Sequence, residues 1–258
     1  MERHPLFGPS LPERGWVPAP RYALRRARLL DLVRPLPRGR LLEVGPGAGA
    51  LLADLADLGY RCEALEPSAA AREVASWLRD IPLAAAPDPA WTGAFDLVVA
   101  CEVLEHLEDD DAALELWKSW LRPGGRLLIS VPAHAKRWSA TDVWAGHFRR
   151  YERDDLRRLV ERAGFEIEEL ECYGFPLSNL VEPLRAFAHR RALARRATTL
   201  AEGTERSGVE RGVEARLFPL QASWPGTLLF RAAFRLQKRF RHHDRGTGYL
   251  LLARRPGP

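Results

Sequence analysis

Residues 41–55, LLEVGPGAGALLADL, constrain this chain more than any other stretch. A short apolar run stops at Val44, and Gly45, Gly47 and Gly49 follow at alternate positions before a second apolar pattern begins. Glycine turns this sharply at little cost and lets a ligand approach without a Cβ in the way. A buried strand, a tight turn and a helix are therefore expected, with free N–H groups at the helix N-terminus behind the turn. Taken alone, such a turn serves a nucleotide or plain tight packing equally.

The alternation continues along the chain. RCEALEP reads as a second strand, and SAAAREVASWLRD as a helix with Ser68 as N-cap. IPLAAA is a weaker, alanine-rich strand. FDLVVA, DDDAALELWKSWLRPGG and RLLISVPA give strand, helix and strand, and RDDLRRLVERAGF and EIEELECYG a further helix and strand. GYLLLARR closes the series. Strands alternating with helices imply a parallel, doubly wound α/β sheet.

Glu66 closes the second strand about 20 residues after the turn, where this architecture places a carboxylate against ribose hydroxyls. The spacing is GxGxG rather than GxGxxG, which favours a ligand with a ribose and no pyrophosphate. LLEVGPGAG resembles motif I of class I S-adenosylmethionine (SAM)-dependent methyltransferases. Glu66–Pro67 looks like their ribose-binding strand end, and FDLVVACEVLEHL with WLRPGGRLLISVP is similar to their fourth and fifth strand units. The resemblance covers residues 22 to 172 and the last strand. It implies a Rossmann-like, seven-stranded, mostly parallel sheet whose last strand is antiparallel, and SAM as cofactor. It also implies that Glu43, Gly45, Gly47 and Gly49 contact the methionine part of SAM, that Glu66 binds the ribose, and that Cys101 and Glu102 border the methyl region. Asp88 would lie near the adenine, although APDPAW matches the family pattern poorly and a turn residue between two prolines is the plainer reading.

CEVLEHLEDDD, residues 101–111, follows the fourth strand and so lies at the ligand-binding rim of such a sheet. If a helical turn begins there, Glu102, Glu105 and His106 share a face and Val103, Leu104 and Leu107 pack inward. Three readings stand: a polar helix start favoured by the dipole, His106 as a general base, or a divalent ion on Glu102, Glu105 and His106. EVLEHL is similar to the corresponding segment of ubiquinone-pathway O-methyltransferases and of RNA 3′-end 2′-O-methyltransferases, where it is associated with magnesium or a similar ion. Oxygen-rich sites suit magnesium better than zinc, but a metal is not the favoured reading. The loop VPAHAKRWSATDVWAGHFRRY adds His134, Asp142 and His147 to the rim. His106, His134 and His147 are the candidate bases that take a proton from the acceptor, with His147 the best placed for direct contact with it.

Three cysteines, Cys62, Cys101 and Cys172, are scattered with no zinc or disulfide spacing. A reducing cytoplasm is the expected location. No apolar run approaches the roughly 20 residues that span a bilayer, and the first residues lack the apolar core of a signal peptide. Residues 1–20 read as an irregular arm, residues 21–174 and 246–255 as the SAM-binding domain, and residues 175–245 as a basic, partly helical insertion that covers the substrate. That insertion carries 14 Lys and Arg against 6 Asp and Glu, a local +8 in a chain of net +5. Leu228, Leu229, Ala233, Leu236 and Phe240 suggest an amphipathic stripe with basic residues opposite, and AEGTERSGVERG a mobile loop. The basic face is either a solvated cover or a contact for anionic or lipid-linked substrates and a membrane surface. Nucleic acid is disfavoured because the aromatics do not alternate with the arginines. The expected function is transfer of the SAM methyl group to an O or N atom of a small-molecule, lipid-linked or glycan-linked acceptor. The alternatives are a non-catalytic SAM-binding or interaction protein, and an RNA-directed methyltransferase.

Overall fold

The computed structural model describes residues 2–78, 80–195, 199, 203 and 212–257. Two short strands, β1 (Glu2–His4) and β2 (Gly8–Ser10), pair antiparallel. Helix α1 (Pro20–Val33) leads into β3 (Arg40–Val44), α2 (Ala50–Asp57), β4 (Arg61–Leu65), α3 (Ala69–Leu78) and the two-residue β5 (Leu83–Ala84). Then come β6 (Phe95–Cys101), α4 (Asp110–Trp120), β7 (Leu121–Pro132), α5 (Ala140–Ala145), α6 (Arg153–Arg162) and β8 (Glu166–Tyr173). Helices α7 (Leu177–Arg195), α8 (Gly212–Ala222) and α9 (Trp224–Phe240) precede the last strand, β9 (Gly248–Arg254).

Seven strands form one sheet in the order β5-β4-β3-β6-β7-β9-β8. β3 to β7 pair in parallel, and β9 runs antiparallel between β7 and β8. The expected topology, including the inverted last strand, is the one observed. Alternate side chains serve opposite faces. Leu42, Val44, Val98, Ala100, Leu127 and Ile129 pack with α4 and α6, whereas Leu41, Leu97, Val99 and Leu128 pack with α1 and α2. Burial on both faces explains why these strands read as continuous apolar runs.

Helix α1 shows only a rough apolar stripe because two of its arginines are buried. Arg28 makes a two-pronged contact with Glu171 of β8 at 2.7 and 2.8 Å. Arg26 grips Asp54 of α2 with both prongs of its guanidinium, one at 2.8 Å, and reaches the carbonyl of Leu6 at 3.2 Å. Arg3 of β1 donates to the same aspartate at 2.8 Å.

The first 20 residues are not the irregular arm expected from their Pro and Gly content. Residues 2–10 fold as a hairpin whose Phe7 is fully buried against Phe218 and Phe230, and a 3-10 turn, Pro12–Arg14, follows. Those partners lie more than two hundred residues away, so local composition carried no sign of them. Helix α9 also departs from its expected stripe. It buries Phe230, Ala233 and Gln237 and exposes Leu228, Leu229 and Leu236. Gln237 is drawn inward by polar partners, donating to the carbonyl of Leu24 and accepting from the N–H of Gly174. The stretch 201–212, expected as a mobile loop, lies outside the described residues except for Gly203 and Gly212. Among the described residues no helix is long and apolar enough to cross a membrane.

Removing Asp54 would strand the buried Arg26 charge. Asp54→Ala is expected to lower unfolding stability by about 3–5 kcal/mol, read as a fall in the urea midpoint, with α1 and the hairpin loosening first in hydrogen exchange.

Candidate functional site

The glycine turn after β3 is built as expected. Gly45, Gly47 and Gly49 take φ of 64°, 54° and 76°, a region that side chains rarely occupy. A Cβ on Gly45 would sit 2.7 Å from Val103, and one on Gly49 would sit 2.9 Å from Ala75. The turn therefore packs directly on the segment after β6 and on α3. Glu66, at the end of β4, accepts from the N–H of Gly47 at 3.1 Å and of Ser68 at 3.0 Å. Ser68 caps α3 through Ala71, as its position suggested.

A cavity of about 360 Å³ opens at the carboxyl ends of β3 and β6. Glu43, Gly45, Gly47, Cys101, Glu102, His106 and His147 line it. Glu43 is buried and its Oε2 has no hydrogen-bond partner. Burial pushes its carboxyl up to about 8, against the opposing pull of Arg25. Burial also pushes the Cys101 thiol up to about 12, so it lines the cavity in the neutral form.

Glu102 does not start a helix. Its backbone is left-handed, with φ of 58°, an uncommon conformation for a side-chain-bearing residue. The chain then makes a single 3-10 turn, Leu104–His106, before α4 begins at Asp110. The kink turns the Glu102 carboxylate toward α1. Arg21 meets it at 2.8 Å and Arg25 at 3.4 Å, while Ser130 and Tyr173 donate at 3.1 and 3.0 Å. Burial raises the Glu102 carboxyl, but Arg21 and Arg25 outweigh that and hold it at about 2.

Glu105 is wholly buried, and neither carboxylate oxygen has a hydrogen-bond partner. Burial, then the Glu102 charge, pushes its carboxyl well above the usual range. His106 contacts the carbonyl of Gly146 through Nδ1 at 3.2 Å. Burial and the neighbouring His147 lower its imidazole to about 4. The His106 and His147 rings meet edge to face, 4.8 Å apart.

His147 comes from the turn after α5. Its Nδ1 lies 3.0 Å from Asp142 Oδ1, and its Nε2 lies 3.9 Å from Glu105 Oε1. Asp142 is fully buried. It caps its own helix by accepting from the N–H of Ser139, and it accepts from Arg150 Nε at 2.7 Å. Burial raises the Asp142 carboxyl, but hydrogen bonds from His147 and Arg150 outweigh this and hold it well below its ordinary value.

Gly49, Glu66, Asp88 and His134 do not line the cavity, and the cluster of potential cation ligands differs by one member from the expected set. The cation cluster is Glu105, His106 and His147, whose ligand atoms lie within 4.8 Å of one another, rather than Glu102, Glu105 and His106. Glu102 is excluded because two arginines already hold its carboxylate. His134 does not line the cavity. It is buried against the Tyr249 ring, 3.8 Å from Asp244. His134, Cys172 and Asp244 form a second cluster of potential ligands, but Arg153 lies 3.9 Å from Asp244 and opposes a cation there. Asp88 is exposed and caps a 3-10 turn by accepting from the N–H of Ala90 at 2.9 Å, and it does not line the cavity.

Sequence reasoning missed Arg21 and Arg25, which sit in an arginine-rich helix without a motif. It also missed the far wall, where Arg185 and His189 of α7 face the cavity. The His189 ring stacks parallel on Trp144 at 4.3 Å and contacts Thr141 at 3.2 Å. No local pattern marks α7 as part of the site.

A family model described as a methyltransferase domain matches residues 19–170. The ubiquinone biosynthesis O-methyltransferase of Thiobacillus denitrificans is 28% identical over 167 residues, covering 56% of this chain and 72% of that protein. The protein of the same name from Xanthomonas campestris pv. campestris is 33% identical over 127 residues, covering 43% and 52%. The chain thus spans only about half the length of the latter. Among solved structures, the (4+2)-cyclase SpnF aligns with a TM-score of 0.58 at 21% identity, over 100% of this chain and 88% of that one. An S-adenosylmethionine-dependent methyltransferase from Mesorhizobium loti aligns with a TM-score of 0.53 at 17% identity, over 89% and 98%. Phosphoethanolamine N-methyltransferase 2 of Haemonchus contortus, in complex with S-adenosyl-L-methionine, aligns with a TM-score of 0.54 at 16% identity, over 90% and 52%.

Proposed function

The chain belongs to the methyltransferase-domain family, in its class I SAM-dependent branch, and on that premise we propose that it methylates a hydroxyl oxygen of a small or lipid-linked acceptor. The observation that carries this reading is His147, held from behind by Asp142 and set in the wall of the same cavity as Glu43 and the glycine turn. The relatives named ubiquinone biosynthesis O-methyltransferase support oxygen as the acceptor atom. Two buried free thiols, Cys101 and Cys172, suit the reducing cytoplasm.

Residues in and beside the cavity support SAM binding. Glu43 offers a buried carboxylate oxygen without a partner to an ammonium group. Arg25 offers a guanidinium to a carboxylate, and Glu66 beside the turn remains our assignment for ribose hydroxyls. When bound, SAM supplies an activated sulfonium methyl, so the protein's task is alignment and proton removal. His147 is the base: Asp142 accepts its Nδ1–H, which fixes the tautomer and leaves Nε2 to take the acceptor's proton. His106, neutral at physiological pH because burial holds it at about 4, orients the His147 ring and walls the acceptor side. His134 is left out of this mechanism.

A second reading has a divalent ion on Glu105, His106 and His147, favoured by their convergence. Such an ion would polarise the acceptor oxygen and occupy the atom that otherwise acts as base. Treatment with EDTA separates the two. The base reading expects turnover unchanged after chelation, whereas loss with recovery on adding magnesium or manganese would establish the ion.

His147→Ala is expected to lower kcat by about 10²–10⁴-fold while SAM affinity by calorimetry stays near wild type. Asp142→Asn should follow it in kcat. Labelled SAM offered with hydroxylated aromatic and lipid-linked acceptors is the assay, and SAM binding without methyl transfer to any oxygen acceptor would overturn the reading.

Glu43 gives a pH-dependent test. With its free-state carboxyl at about 8, it is protonated in the empty site at neutral pH and must release that proton to face an ammonium. SAM affinity should therefore rise as pH climbs through neutrality toward about 8. Glu43→Gln should flatten that rise and weaken SAM binding about tenfold or more, the worth of a charge-assisted hydrogen bond.

A further inference from the structure

Helix α7 has two distinct faces. Arg185, Ala188, His189 and Ala192 line the cavity. Leu180, Leu184 and Phe187, spaced by four and three residues, share another face and are 71%, 70% and 54% exposed. Arg191 continues that row, its guanidinium 4.6 Å from the Phe187 ring centroid. Helix α9 repeats the arrangement. Trp224 and Leu228 stand 77% and 56% exposed, and the exposed Arg231 and Arg235 continue the same row. Leu217 and Leu220 of the intervening α8 are also exposed.

Water-facing side chains of this size, gathered in one segment, signal a contact surface. The order within each row says which kind. Apolar groups come first and arginines follow on the same face, so one end can enter acyl chains while guanidinium groups stay at phosphate depth. The surrounding segment carries net +8, which complements a negative surface. We propose that the outer faces of α7 and α9 dock this protein on a bilayer that contains anionic lipid, with the cavity wall of α7 held beside the membrane. Delivery of a lipid-linked acceptor along α7 rests on the methyl-transfer reading. The docking does not, and it is tested without turnover.

The full chain is sedimented with vesicles of phosphatidylcholine alone and of phosphatidylcholine mixed with phosphatidylglycerol, at low and high salt. Binding is expected only with the mixed vesicles, and raising the salt should weaken it. The double variants L184E/F187E and W224E/L228E should each reduce the bound fraction at least tenfold. SAM affinity, measured in parallel, should stay at the wild-type value and show that both remain folded. Wild-type protein that stays in the supernatant at low salt overturns the proposal. So does vesicle binding that both double variants retain. If the wild type is instead a dimer by light scattering and these variants make it a monomer that no longer differs in vesicle binding, the surface belongs to a second copy of the chain.

Discussion

The carboxylate of Glu102 is the point where four separate elements are tied together. It leaves the end of β6 on a left-handed backbone and takes ion pairs from Arg21 and Arg25 of α1 and hydrogen bonds from Ser130 of β7 and Tyr173 of β8. A buried carboxylate is destabilising unless it is fully paired. Here the pairing is complete, and it offsets the strain of the kink. After that kink comes the 3-10 turn Leu104–His106, which sets Glu105 and His106 beside His147 at the rim. The arginines that hold Glu102 also set the charge of the cavity, since Arg25 lies close enough to oppose the burial of Glu43.

Around this anchor the cavity divides into two chemistries. One side is largely backbone: Gly45 and Gly47 with positive φ and the start of α2, beside the buried carboxylate of Glu43. The other is made of side chains from the α5 turn and α7. There Asp142 holds His147, Arg150 holds Asp142, and Glu182 of α7 holds Arg150 at 2.9 Å. That chain of contacts ties α7 to the histidine pair. A (4+2)-cyclase shares the fold of this chain, a reminder that the sheet positions a ligand but does not choose the reaction.

Helices α8 and α9 are held by contacts with residues far away in the chain. Phe218 and Phe230 take Phe7 from the N-terminal hairpin, and Gln237 bridges α1 to the end of β8. These anchors fix which face of α9 turns inward. They leave Trp224 and Leu228 of α9 exposed.

Periodicity and glycine placement alone determined the sheet, its doubly wound order, the turn after β3 and the carboxylate at the end of β4. Those features are local, because apolar runs and positive φ are demands that a few neighbouring residues must meet by themselves. The resemblance of the closing strand added the antiparallel insertion between β7 and β8. The EVLEHL segment was legible as a rim element but not as a kink, since only arginines eighty residues upstream make the left-handed Glu102 tolerable. The sequence offered three histidines with His147 foremost, Glu102 at the methyl region, and Asp88 either near the adenine or, more plainly, as a turn residue. Tertiary structure set them apart in space: it buried His134 behind Tyr249, made Asp88 a turn cap, paired Glu102 with α1, and brought His147 against Asp142 and His106. Such choices depend on distances between elements far apart in the chain, and no local pattern encodes them.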